Sequence, residues 1–127
     1  MPSRASRSWI TGVAVFSLAA FMLGGMLPGD GRDAVKAWFS LGDIESIAHF
    51  LFSAWLVFLG CLLVGRYWVV PGAVIILGAL IEMIQVWIPG RSASLSDFLI
   101  DVAGVALGCI LYVLLRRFLR TDQSVIR

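Results

Sequence analysis

Long apolar runs separated by short polar joints set the architecture of this chain. The runs cover Trp9 to Leu27, about Ile47 to Gly65, about Trp68 to Ile88 and about Phe98 to Leu115. Each is long enough to cross a bilayer as a helix, which takes about 20 residues. The predicted fold is all-α: one membrane-embedded four-helix bundle spanning residues 9–120, with short tails at 1–8 and 121–127.

The joints refine this picture. Pro28-Gly29-Asp30-Gly31 breaks the first helix, because Pro and Gly supply turn geometry. In the following Arg32–Ser40 segment, Val35, Trp38 and Phe39 fall at i, i+3 and i+4, while Arg32, Asp33 and Lys36 can face water. That spacing predicts a short interfacial helix on the outer side, anchored by Trp38; the alternative is an ordered loop with a few apolar contacts. Arg66 and Tyr67 make so short a joint that the second and third spans must be antiparallel neighbours. Pro71 falls in a first helical turn, where its missing N–H costs little. Thr121 to Arg127 is polar and expected to be loose.

Composition excludes a soluble domain. Of 127 residues, 60% are hydrophobic and 14% charged, with a mean hydropathy of +0.94, whereas soluble domains carry roughly a quarter charged residues. No hydrophilic block is long enough to form a separate domain. Arg4 and Arg7 before the first run could belong to a signal peptide. At about 19 residues that run exceeds a signal core of about 7–15, and no clear A-x-A site follows, so a retained signal-anchor helix is expected. Cys61 and Cys109 both lie in apolar runs, match no metal or redox spacing, and read as packing residues.

The net charge is +2, and its distribution gives an orientation. Arg4, Arg7, Arg66, Arg116, Arg117 and Arg120 fall on one side; Arg32, Lys36 and Arg91 fall on the other. The positive-inside rule puts both termini in the cytoplasm of a multi-pass protein of the bacterial cytoplasmic membrane. This pattern points to membrane lipids as partners and away from nucleic acid.

Orientation also gives depth. His49 enters the second span, Glu82 and Gln85 leave the third, Asp97 caps the fourth and Asp101 lies one turn in. At about 1.5 Å per residue all sit within roughly 10 Å of the outer interface. Three spacings share a helix face: Glu45 with His49, Glu82 with Gln85, and Asp97 with Asp101. A carboxylate at Glu45 would orient the His49 imidazole. Ser94-Leu95-Ser96-Asp97 matches a capping pattern, which gives Asp97 a structural role as an alternative to a ligand role. Arg91 can pair with a carboxylate of the protein or of a ligand. Gln85 serves equally to join helices, His49 to bond across them, and Gly104-x-x-x-Gly108 to let them approach. Carboxylates in this set outnumber Arg91 and His49. One must therefore hold a proton, face water, or meet a bound cation. Glu82, deepest in its span, bears most of that pressure. The ligand-binding candidates are thus Glu45, His49, Glu82, Gln85, Arg91, Asp97 and Asp101, with His49, Glu82 and Asp101 as catalytic candidates. A single His among carboxylates is poor metal spacing, so neither a metal nor another cofactor is expected.

These residues resemble the VanZ-like family of small bacterial membrane proteins. Glu82-x-x-Gln85, Pro89-Gly90-Arg91, Ser94, Asp97, Gly104, Gly108 and His49 stand as in the family pattern, over about Glu45 to Gly108. Ser46 replaces the usual Lys and Asp101 the usual Asn, both making the cluster more acidic. The resemblance implies a cell-envelope context and an association with low-level resistance to the glycopeptide teicoplanin. It supplies no known reaction.

Four functions compete. An outward-facing site could hold a lipid headgroup, a lipid-linked cell-wall precursor or a glycopeptide, with Arg91 on its anionic part and Glu82, Gln85 and His49 as hydrogen-bond partners. A membrane-embedded enzyme would use His49 with Glu45 as base and Glu82 or Asp101 as acid or metal ligand. A small transporter or proton relay suits acidic residues, but four helices would have to form a homo-oligomer to make a pore. A helical adaptor would need no site at all.

Overall fold

A computed structural model describes the backbone of residues 4–39 and 44–125. The side chains of Arg32, Val35, Lys36, Trp38, Phe39, Ile44, Glu45 and residues 121–125 lie outside the described set, and with them the expected apolar face of Val35, Trp38 and Phe39 and any contact of Glu45. The helices are α1 (Arg4–Met26), α2 (Gly29–Phe39), α3 (Ile44–Val64), α4 (Val69–Gln85) and α5 (Leu95–Val125). The all-α bundle and the short helix after the first long one agree with the pattern of apolar and polar positions.

α1, α3 and α5 are long and apolar enough to cross a membrane. α4 is equally apolar but has only 17 residues, about 26 Å at 1.5 Å per residue. It stops three residues before the expected Ile88. Trp87 N–H donates to the Ile84 carbonyl and Ile88 N–H to that of Gln85, bonds that tighten the last turn and end the helix. Gly90 then takes a positive φ of 74°, and Gly29 N–H, at the start of α2, donates to the Pro89 carbonyl at 3.1 Å. The turn after α4 is thereby pinned to the joint after α1. α5 continues well past Leu115. Neither Gly nor Pro interrupts the chain after Gly108, so the backbone of the expected loose tail is helical to Val125.

α3 and α5 run parallel and pack most extensively. Gly104 faces the Phe50 carbonyl and Gly108 the Ala54 carbonyl so closely that an added Cβ would collide with either oxygen. The expected small-residue face therefore operates here as helix-to-backbone contact. α4 returns antiparallel to α3. The reversal uses Gly65, at φ 70°, whose N–H donates to the Cys61 carbonyl at 2.9 Å, a left-handed helix end that favours glycine.

Two buried clusters hold the bundle. Val57, Cys61, Val105 and Tyr112 form one; Phe21, Leu56 and Ile81 form the other. Both cysteines are free, Cys61 buried and Cys109 half-buried against the first cluster, as expected for packing residues. α1 lies antiparallel to α3, joined by a Trp55 Nε1–H donation to Ser17 Oγ at 3.1 Å. Large apolar side chains such as Trp9, Phe16, Leu23, Leu99 and Phe118 cover the outside, as befits a lipid-facing surface.

Candidate functional site

The end of the bundle where α1 finishes and α3 begins collects the buried polar side chains. His49, Ser53, Glu82, Gln85 and Asp101 are all buried. They come from α3, α4 and α5, so tertiary packing assembles the site. The expected convergence is present for His49, Glu82, Gln85, Arg91, Asp97 and Asp101; Glu45 lies outside the described side chains.

Asp101 is the centre of this network and is 1% exposed. Ser53 Oγ–H donates to its Oδ1 at 2.6 Å. His49 Nδ1 lies 3.2 Å from both carboxylate oxygens. The imidazole tautomer sets which of the two groups donates in this contact. The partner found for the imidazole is therefore a carboxylate from another helix. Gly78 on α4 makes room for it: a Cβ there would stand 2.8 Å from Asp101 Oδ2. The Phe21 ring meets the imidazole edge-on at 5.5 Å. Ser53 directs its proton at Asp101, so this is a shared-acceptor network and not a Ser-His-Asp relay.

The start of α5 is built as the capping pattern predicts. Asp97 N–H donates to Ser94 Oγ at 3.2 Å. In a full capping box the third residue's carboxylate would turn back to the cap's own N–H. Here that N–H goes instead to Glu82 Oε2 on α4, at 2.7 Å. Asp97 is left to face α3, where Ser46 Oγ–H donates to its Oδ1 at 3.4 Å. Glu82 Oε1 is buried and has no hydrogen-bond partner among the described residues.

Gln85 and Arg91 act on α1. Gln85 Nε2–H donates to the Gly25 carbonyl at 3.0 Å and Arg91 Nη2–H to the same oxygen at 3.1 Å. That carbonyl lies in the last turn of α1, where helices run out of internal donors. A cation at this end also opposes the helix dipole, worth about 0.3–1 kcal/mol at exposed sites.

Sequence reasoning missed Ser53, Gly78 and Phe21. Ser53 had a signal: it stands four residues after His49, on the same helix face. Gly78 and Phe21 had none, because their roles depend on how helices rotate against one another. No three His, Cys, Asp or Glu side chains among the described residues are grouped to hold a metal ion.

Fold and network together define an all-α membrane protein with a buried carboxylate–imidazole cluster at one end of its bundle. Within that class the chain belongs to the VanZ/LLP1 family, whose model matches residues 6–116. No curated protein and no solved structure matches it.

Proposed function

We propose that this is a multi-pass protein of the bacterial cytoplasmic membrane, with both termini in the cytoplasm, whose polar cluster faces outward and binds the headgroup of a lipid or lipid-linked cell-wall precursor. Glu82 carries the reading. A buried carboxylate oxygen without a donor is costly, and a ligand N–H, ammonium or hydroxyl at Oε1 relieves that cost. Arg91, half-buried at the rim, takes the ligand's anionic part, with His49 and Gln85 beside it. The turn at Ser94 and Asp97 closes the site's edge. A glycopeptide phenotype follows as a secondary effect of holding a cell-wall precursor.

Native mass spectrometry of the mildly solubilised protein tests this, wild type beside Glu82→Gln. The expected result is a co-purified lipid mass in the wild type and its loss in the variant, with the helical melting transition retained. Bare protein in both samples overturns the reading. The Asp101–His49 pair favours a second reading, in which Nε2 of an oriented imidazole is a general base on such a lipid. A lipid mass that changes on incubation, and stops changing in His49→Gln, would select it. Transport finds no comparable support, because Glu82, Asp97 and Asp101 gather at one end instead of along the bundle.

A further inference from the structure

The opposite end of the bundle carries a second polar feature that the network does not use. A cavity of about 290 Å³ is lined by Tyr67, Tyr112, Val113, Arg116, Arg117 and Arg120. Tyr112, Arg116 and Arg120 recur every four residues and share one face of α5. Tyr112 is 5% exposed and packed in the core with Val57, Cys61 and Val105. Its ring is therefore a fixed platform, and the Arg116 guanidinium carbon lies over it, 5.8 Å from the centroid. That contact holds the cation in place before any ligand arrives. Tyr67, half-exposed, closes the other side and leans on Trp68 at 5.0 Å between ring centroids.

We propose that this cavity binds the phosphodiester of an anionic phospholipid. Guanidinium groups pair with phosphate oxygens through two parallel hydrogen bonds, a geometry an ammonium cannot reproduce. Val113 and the exposed Tyr67 ring suit the glycerol and the first methylenes of the chains. Counting about 1.5 Å per residue from Leu95, Arg116 stands some 31 Å along α5, at the boundary of a hydrocarbon layer about 30 Å thick. The cavity therefore sits at headgroup level. A zwitterionic headgroup brings an ammonium up to three arginines of α5, and that repulsion supplies selectivity. The inference is independent of any ligand at the Glu82 end.

The test offers the full protein in detergent an equal mixture of phosphatidylglycerol and phosphatidylcholine, read by native mass spectrometry. Phosphatidylglycerol should be retained preferentially. Each arginine should contribute roughly fivefold to retention of the anionic lipid. Arg116→Gln with Arg120→Gln should therefore abolish the preference, and Arg116→Lys with Arg120→Lys should weaken it. Equal retention of the two lipids overturns the proposal, as does a preference unchanged in the Gln variant. Full preference in the Lys variant means undirected charge and overturns the built site. Displacement of the lipid by glycerol phosphate means a soluble phosphate site and overturns the lipid assignment. Should the variants not fold, a photoreactive phosphatidylglycerol added to the wild type must label residues 112–120; labelling elsewhere only is a negative result.

Discussion

Gly78 on α4 and Asp101 on α5 form a seat and its occupant: a Cβ on the glycine would lie 2.8 Å from the aspartate Oδ2. A carboxylate with 1% exposure has nowhere to retreat. Gly78→Ala should destabilise the protein by about 1–3 kcal/mol, the usual cost of overpacking a tight site. Gly72, on the same helix, has nothing within 4 Å of a would-be Cβ, and Gly72→Ala should be neutral or slightly stabilising. Thermal unfolding in one detergent compares the two; equal shifts would contradict the seat.

The Asp101 network separates charge from shape. Asp101→Asn keeps an acceptor for Ser53 and a similar volume, so the fold should persist with a loss of about 1–2 kcal/mol. Asp101→Leu strands both the hydroxyl and the imidazole and should cost about 3–5 kcal/mol. Denaturation in mixed micelles reads both variants. A leucine variant as stable as the asparagine one would show that the network contributes nothing to the fold.

The parallel contact of α3 with α5 depends on two missing side chains. Gly104→Val must push against the Phe50 carbonyl and Gly108→Val against that of Ala54. Backbone cannot swing aside as a side-chain tip can, so each should cost at least about 3 kcal/mol. Gly12→Val, in open surroundings, is the control and should lose no more than about 1 kcal/mol. Cysteine crosslinking between α3 and α5 should fall in the first two variants and stay constant in the third.

Two donors converge on the Gly25 carbonyl, so their removal should not be additive. Gln85→Leu and Arg91→Ala each leave the oxygen one donor and should cost about 1 kcal/mol. Together they leave it with neither and should exceed the sum by about 0.5–1 kcal/mol. A double-mutant cycle on unfolding free energies measures the surplus; strict additivity would mean that the two side chains do not share the acceptor.

Much of this was readable from the chain because each such feature is local. The apolar runs, the Ser94 cap and the glycine pair at 104 and 108 rest on one helix at a time, and periodicity reports one helix well. The convergence of His49, Glu82, Gln85 and Asp101 was also legible, since alternating directions fix depth. Which of them touch was not. Spacing within α3 could nominate only Glu45, whose side chain lies outside the described residues; Asp101, which meets the imidazole across a helix boundary, has no such signal. The rotation of one helix against another is set by packing at sites such as Gly104, and no periodicity encodes it. The early end of α4 escaped for a similar reason. Val86, Trp87 and Ile88 are as apolar as the helix before them, and only the turn geometry from Gln85 to Arg91 excludes them.

The parallel pairing of α3 with α5 has a consequence for how the protein is made. The helices are synthesised in sequence, yet His49 and Ser53 are made two helices ahead of the carboxylate that joins them. Until α5 arrives, α3 carries an imidazole and a hydroxyl on an apolar helix with Asp101 still to come, and contact between segments so far apart is slow to form. The last helix thus works as a keystone: a nascent chain halted before residue 101 lacks the carboxylate that ties His49 and Ser53 together in the finished bundle.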